Sequence, residues 1–476
     1  MKLEKIILIE IGEWHAKKLA SHSQVEPLAI EYLAGYLEKE GYKTKLYQQR
    51  GRDLEEIVRD VIKHDPSIIG ISCYTYAFPE ALHLAKEIKK ENPKIKTIIG
   101  GYHITTIPKL YDFDFGIIGE GEETLLELIQ AIENNEKDFS KIKGLIWKDG
   151  NEIIVNERRE RMDFSKLPWP KREEKFLDNT IIRGIVGKGS VIQVSYSRGC
   201  PYNCYYCCSP LLWQRQISYR KTEDVVEEIL WLKNNFNPNY FYFTDLTFNA
   251  SKKKVLEVTE LLKGKNIIWG AMPSIDVGNL DEELIKEMAE TGCKRLMFGI
   301  ETLEQSTSQF LKRKYKIKEK NRFEKTYEIF RLCDKYGIGT RAFLMIGSPN
   351  ENEEDIKKML NKLKILLPDE IRIAITTPLP GSGFFEECKE KGLLVYSNFP
   401  DDWKHYTTNK LVYKHSYFSL EKIKELGENL FDSYYSSSEY AKHVKEKIRK
   451  HQELKEGFNY FINQWLKNKH KVKTKI

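Results

Sequence analysis

The chain has 476 residues, enough for two to four domains at roughly 100–200 residues each. Its 77 Lys and Arg against 70 Asp and Glu leave a net charge of +7, and five of those charges are Lys467, Lys469, Lys471, Lys473 and Lys475 in an acid-free tail. The body, at about +2, argues against a basic nucleic-acid-binding surface, and the tail reads as a solvated terminus rather than a binding arm. No run of 18 apolar residues is present, so no membrane span is expected. The opening MKLEKIILIEIGEW has a short apolar run, contains Glu10 and lacks a small-residue cleavage site, which makes it a first strand rather than a secretion signal. A cytoplasmic chain is expected, with its eight cysteines as thiols or metal ligands rather than disulfides.

Strand and helix patterns alternate through the first 140 residues. KIILIEI (5–11) is a strand, and Leu28, Ile30, Leu33, Ala34 and Leu37 recur at helical spacing up to Gly41. KTKLYQ (43–48), SIIGISC (67–73), KTIIGG (96–101) and FGIIGEGEE (115–123) supply further strands, each followed by a helical pattern. The expectation is an α/β domain, a doubly wound, mostly parallel Rossmann-like sheet, over 1–140. A hairpin at 142–155 turns around Asp149-Gly150, and a charged stretch with LPWPKR follows, so 141–190 is read as hairpin and linker.

From 191 to 394 the alternation restarts. VIQVSYS, YFYFTD, IIWGAM, RLMFGIE, GTRAFLMIG and EIRIAITTP each lead into a helical stretch, the pattern of a partial (β/α)6 TIM-like barrel. Chemistry in such barrels sits at the C-terminal ends of the strands. Residues 395–476 are aromatic-rich and then mostly helical from about Leu420. They are expected to close the barrel mouth, with Trp403, His405 and Tyr406 either lining a pocket or filling a small helical core.

Four of the eight cysteines fall within nine residues, in SRGCPYNCYYCCSP. Cys200, Cys204 and Cys207 have CxxxCxxC spacing directly after the first barrel strand. A structural zinc site asks for four ligands, usually as two distant pairs, but Cys293, Cys333 and Cys388 stand singly with no nearby His. Three thiolates can wrap a [4Fe–4S] cluster and leave one iron without a protein ligand, as a catalytic metal requires.

This segment resembles the radical SAM superfamily, whose motif is CxxxCxxC with an aromatic, here Tyr206, before the last cysteine. The resemblance implies Cys200, Cys204 and Cys207 as cluster ligands and S-adenosylmethionine (SAM) on the open iron, cleaved to a 5′-deoxyadenosyl radical. Cys208 falls outside the pattern. Asp245 stands at the end of strand two, where relatives carry an acidic pair and this chain has Leu246 second. Glu301, in FGIE, would meet SAM polar groups, and Gly347, in MIGSPNE, would let backbone approach the adenosine. Arg341 would meet the SAM carboxylate or form an interstrand salt bridge. PLPG (378–381) resembles the family's PxPGT, with Ser382 in place of Thr.

The first domain lacks both GxGxxG and GxxxxGK, so those phosphate cradles are not expected. GISCYT, GGYHIT, IGEGEETLLEL and LPWPKR resemble segments of the B12-dependent radical SAM proteins, in which a cobalamin-binding domain precedes the barrel. The resemblance implies cobalamin contacts from Ser72, Thr75, Gly100, Gly101, Tyr102, His103, Gly119, Glu120 and Gly121, with His103 either bonding the cofactor or capping a helix. His15, near the position of the DxHxxG histidine of many cobalamin domains but without that Asp and Gly, is a cobalt ligand or a loop residue. The function implied is a cobalamin-dependent C-methyltransferase acting on an unactivated carbon. One SAM would methylate cob(I)alamin and a second would yield the radical. A B12-dependent cyclase or rearrangement enzyme, and a non-catalytic cobalamin/Fe–S sensor, are the alternatives. The expected partners are a small-molecule or peptide-derived organic substrate and a flavodoxin or ferredoxin-type reductant.

Overall fold

The computed structural model describes residues 5–12, 25–177, 180, 184–311 and 322–473. His15 lies outside them. A seven-stranded sheet has the order β2-β1-β3-β4-β5-β6-β7. β1 (Ile6–Ile11) pairs in parallel with β2 (Thr44–Gln48) and β3 (Ile68–Cys73), and β4 (Lys96–Gly100) and β5 (Phe115–Ile117) continue in parallel. The connecting helices are α1 (Leu28–Lys39), α2 (Leu54–Ile62), α3 (Phe78–Glu91), α4 (Tyr102–Thr106) and α5 (Glu122–Glu133). The chain goes from β1 to β2 and then crosses to the other side of β1, so the switch point lies between the ends of β1 and β3. These strands are continuous aliphatic runs because both faces are covered. Ile7, Ile9, Ile69 and Ile71 pack with α2 and α3, while Ile6, Leu8, Ile68 and Ile98 pack with α1 and α5.

The hairpin, β6 (Leu145–Asp149) and β7 (Glu152–Val155), pairs antiparallel onto β5 and extends this sheet instead of standing with the linker. β5 has only three residues, and Leu145, Ile146 and Trp147 bring buried side chains to its open edge. The linker is a clamp rather than a spacer. Its Trp169 carbonyl passes so close to α1 that a Cβ on Gly35 would stand 2.4 Å from it, which explains a glycine inside a helix. Arg172, 2 % exposed, meets Glu26 at 3.1 Å and Glu31 at 3.2 Å from the first domain, and Glu228 at 2.8 Å from the second. α6 (Glu174–Leu177) follows.

The second sheet is all parallel, in the order β15-β14-β13-β12-β11-β8. β8 (Val191–Val194) ends earlier than the VIQVSYS pattern predicts. Asp245 takes the N–H groups of Tyr196 and Ser197, diverting the chain into β9 (Ser197–Gly199), which pairs antiparallel with β10 (Ile217–Tyr219). The remaining strands are β11 (Tyr240–Phe243), β12 (Trp269–Ile275), β13 (Cys293–Glu301), β14 (Gly339–Ile346) and β15 (Glu370–Ile375). Between and after them come α7 (Ser209–Trp213), α8 (Thr222–Phe236), α9 (Lys252–Leu262), α10 (Glu282–Glu290), α11 (Gln305–Leu311), α12 (Arg322–Lys335), α13 (Glu353–Leu366) and α14 (Gly383–Glu390). Neighbouring strands follow in sequence order, the winding of an open barrel.

Both open edges are covered. On β8, Glu26 accepts the N–H of Gln193 and Arg172 donates to its carbonyl at 2.7 Å. On β15, the N–H of Ile375 donates to Thr408 O at 2.7 Å and that of Ile371 to the Tyr435 hydroxyl at 2.7 Å. Tyr435 ends α15 (Leu420–Tyr435), followed by α16 (Ser438–Lys450) and α17 (Lys455–Lys473). Lys447 of α16 bridges Asp334, at 2.8 Å, and Asp369.

Trp403 and Tyr406 are core residues. They pack with Phe385 and Val412 into the apolar face of the first domain that carries α3. His103 is in the same core, fully buried, with its ring centroid 3.9 Å from that of Phe78 and 5.4 Å from that of Trp403. Neither of its ring nitrogens has a hydrogen-bond partner, and burial holds its pKa down at about 3.

Two outcomes are expected. Arg172→Met removes the cation that pairs with the buried Glu26 and Glu31, leaves Glu228 with Arg220 alone, and should cost about 3–5 kcal/mol in urea unfolding. An unfolded chain takes up a proton at residue 103 below the ordinary histidine value of 6.5, whereas the folded chain resists until about pH 3. Stability should therefore fall as pH drops through this window, by about 2 kcal/mol at pH 5 from this group. His103→Leu should flatten that part of the stability–pH curve, read by denaturant midpoints at pH 7 and pH 5.

Candidate functional site

The C-terminal ends of the two sheets face one another across a cavity holding about 1460 Å³ of space, its open mouth included. It enters the first domain as an apolar slot between the strand residues Leu8, Gly70, Ile98 and Ile117 and the helix residues Leu33 and Leu125. Its rim at the switch point carries Glu10, Ser72 and Tyr74, and then Gly100, Gly101 and Tyr102. Gly101 turns the chain with φ +94°, and a Cβ there would stand 2.8 Å from Cys73 O. The rim continues through Gly119, Glu120, Gly121 and Glu122. The facing wall is Ser195, Arg198, Thr244 and Leu246 of the barrel mouth, with Leu212 and Trp213.

The three motif cysteines lie on the loop between β9 and α7, and each is partly exposed. Cys200 Sγ is 3.5 Å from Thr247 Oγ1, and Cys207 Sγ accepts the N–H of Ser209 at 3.4 Å. Burial raises the Cys207 thiol pKa, and the negative charges of Cys200 and Glu301 raise it further, so Glu301 lies within electrostatic reach of the cysteines. Glu301 sits in the left-handed region at φ +62°, at the end of β13. The loop is braced from within the barrel. Tyr205 N donates to Leu311 O at 3.0 Å, its carbonyl accepts from Phe384 N at 3.1 Å, and its hydroxyl donates to Glu387 at 2.5 Å. A Cβ on Gly383 would stand 2.4 Å from the Tyr205 ring, so the glycine makes that brace possible. Tyr206 is half-buried on the same loop. Cys208 is held as a thiol, its pKa pushed up to about 12 by burial.

Several expected contacts have other roles. Arg341 lies near the start of β14 and donates to Glu370 at 2.5 Å, which is the interstrand salt bridge, away from the strand end where SAM was expected. Gly347 spends its N–H on Glu351 at 2.5 Å and its carbonyl on the Tyr413 hydroxyl, while Ile423 lies 3.2 Å from where its Cβ would be. Its glycine serves a packed turn at φ +75° rather than an open approach. Asp245 is buried and bonded to Ser197 Oγ at 2.5 Å, its pKa pushed up to about 6 by burial. Thr75 and His103 are buried and do not line the cavity, and His103 neither caps a helix nor bonds across the cavity. Glu120 lines it, but its carboxylate is spent on Arg161 at 2.6 Å and Arg198 at 3.5 Å.

Sequence reasoning missed Glu10, Arg198 and Trp213. Glu10 interrupts an Ile/Leu run at the end of β1, and Arg198 stands two residues before Cys200. Charges at such positions were the available signal. Burial raises the Glu10 carboxyl pKa, opposed by a 2.9 Å hydrogen bond from Gln48.

Comparison with known proteins finds two family matches in succession along the chain. Residues 18–129 match the model of the B12 binding domain and residues 194–363 that of the radical SAM superfamily. An uncharacterized methyltransferase of Pyrococcus horikoshii is 29 % identical over 91 % of this chain and 93 % of its own length. An anaerobic magnesium-protoporphyrin IX monomethyl ester cyclase of Rubrivivax gelatinosus is 27 % identical over 77 % of this chain and 66 % of its own. Among solved structures, the radical S-adenosylmethionine methyltransferase TsrM of Kitasatospora setae, with cobalamin and a [4Fe–4S] cluster bound, superposes with a TM-score of 0.67 at 18 % identity, over 82 % of this chain and 75 % of that one. The cobalamin-dependent radical enzyme OxsB superposes at 0.69 with 14 % identity, over 100 % of this chain and 81 % of that one. The chain thus matches a B12 binding domain followed by a radical SAM domain, one on each side of the cavity, the domain order it shares with the cobalamin-dependent radical SAM enzymes to which it is similar.

Proposed function

We propose that the protein is a cobalamin-dependent radical SAM C-methyltransferase, using a [4Fe–4S] cluster, SAM and cobalamin on an unactivated carbon of a small or peptide-derived substrate. The observation that carries this reading is one cavity lined on one side by the first sheet's switch point and on the other by Arg198, Gly199, Leu212 and Trp213, the residues that flank the CxxxCxxC segment. The residues suit the groups. Cys200, Cys204 and Cys207 supply three thiols on one loop after the first barrel strand, and Glu301 at the end of β13 lies within electrostatic reach of Cys207. The apolar slot and the small rim residues Ser72, Gly100, Gly101, Gly119 and Gly121 leave room for a large flat ligand with a long tail. Methyl transfer and hydrogen abstraction from carbon are the chemistry these cofactors supply when bound.

The protein's part is to orient and to exclude water. Leu212, Trp213 and Leu246 place apolar side chains among Ser195, Arg198 and Thr244 on the barrel side of the cavity, where they help exclude water. Leu246 leaves Asp245 as the single carboxylate of that strand end, and Asp245 itself holds the β8–β9 turn. A low-potential electron from a flavodoxin or ferredoxin-type donor completes the reaction requirements. The second reading, cyclisation or rearrangement without methyl transfer, is favoured by the similarity to the magnesium-protoporphyrin ester cyclase.

Anaerobic reconstitution should give about four irons per chain and one corrin. With methyl-labelled SAM, reductant and an extract of the native host, S-adenosylhomocysteine and 5′-deoxyadenosine should form together with one labelled product. Deoxyadenosine without S-adenosylhomocysteine would instead establish the second reading. Replacement of Cys200, Cys204 and Cys207 by Ala should abolish both products while corrin binding remains measurable. Survival of a corrin-dependent response in that triple variant, with no turnover in the parent, would point to a sensor.

A further inference from the structure

The cysteine loop is not held by its own domain alone. Two residues before Cys200, Arg198 reaches into the first domain. Its guanidinium lies 2.7 Å from Glu122 and 4.6 Å from the ring centroids of both Tyr32 and Phe164. Six residues after Cys207, Trp213 ends α7, and its indole N–H donates to the Tyr102 hydroxyl at 3.1 Å. Arg161 covers the Trp213 ring at 4.8 Å and donates to its carbonyl at 2.9 Å, and Arg158 donates to Leu212 O at 2.8 Å. Gln214 and Arg215 then take φ +50° and +57°, a conformation rare for non-glycine residues, so the end of α7 depends on such outside bonds. Arg198 and Trp213 both line the cavity. The segment 198–213 thus carries the three cysteines in its middle and has both ends built into the cavity wall.

We propose that Arg198 and Trp213 are positioning residues that couple the cysteine loop to occupancy of the first-domain cavity. The inference rests on the cofactor reading above. A cluster held by Cys200, Cys204 and Cys207 would tie the middle of the segment to one group. Fixing the loop fixes the Trp213 ring and, through it, the Tyr102 hydroxyl on the facing rim. A corrin in the cavity that Trp213 lines would restrain the same ring from the other side. Each cofactor then binds more tightly when the other is present, by the same factor in both directions.

The test uses the full chain under anaerobic conditions, with and without its reconstituted cluster, and hydroxocobalamin as the probe in equilibrium dialysis. The cluster should tighten hydroxocobalamin binding by about five-fold or more. Trp213→Phe, which keeps a ring but removes the N–H donor, and Tyr102→Phe, which removes the acceptor, should each bring that factor toward one. The double variant should be no worse than either single, because one bond is lost in all three. Arg198→Gln should lose the coupling and Arg198→Lys recover part of it. The EPR spectrum of the reduced cluster should change on corrin addition in the parent and stay unchanged in Trp213→Phe. Equal affinity with and without the cluster in the parent overturns the proposal, as does full coupling in every variant. A parent that binds no corrin in either state overturns the cofactor reading itself, and binding without coupling overturns only this inference.

Discussion

Arg172 is the contact on which the arrangement of the two domains depends. Its guanidinium sits among Glu26, Glu31 and Glu228, with all four side chains essentially out of solvent. Three carboxylates on one cation are too many negative charges for a buried site, and part of the excess is relieved by Arg220, which also pairs with Glu228. The remainder appears in Glu31, whose pKa is pushed up to about 8 by burial, against the opposing charge of Arg172. Such a site is costly to desolvate and forms only when every partner is in place. It therefore acts as a registry device. Its partners come from both the first domain and the barrel, which it ties together across the linker.

The same residues solve a second problem. An open six-stranded barrel exposes two strand edges with unpaired backbone groups, a hazard for pairing with other chains. Here the β8 edge is satisfied by side chains of Glu26 and Arg172 rather than by another strand. The β15 edge is satisfied by Thr408 and Tyr435 from the C-terminal segment. That segment also sends Trp403 and Tyr406 back into the first domain's core. The chain thus returns to where it started, and the aromatic richness of 395–418 is explained by a core that spans both domains.

Local pattern made the strands and helices legible, including the switch of periodicity at each strand–helix boundary. It misjudged three places for separable reasons. The hairpin reads as a local unit, yet three-residue β5 leaves an edge that β6 fills. VIQVSYS reads as one strand, yet Asp245, some fifty residues away in sequence, captures the N–H groups of Tyr196 and Ser197. Gly347 sits in a turn motif that suggested a ligand, yet Glu351, Tyr413 and Ile423 occupy its bonds and space, whereas Arg341 takes the salt-bridge alternative, with Glu370. In each case the deciding partner is remote in the chain.

The sequence by itself determined the two-domain order, the parallel α/β character of both sheets and the identity of the cysteine loop. These rest on periodicity, glycine placement and the spacing of three thiols, all of which act over a few residues. Tertiary structure alone decided that His103 is a buried core residue, that LPWPKR is a charge-locked clamp, and that Arg198 and Trp213 carry the ends of the cysteine loop into the opposite domain. Burial, ion pairing and the facing of two strand ends depend on which residues meet after folding, and residues such as Arg172 and Glu26, 146 positions apart, leave no local trace of it.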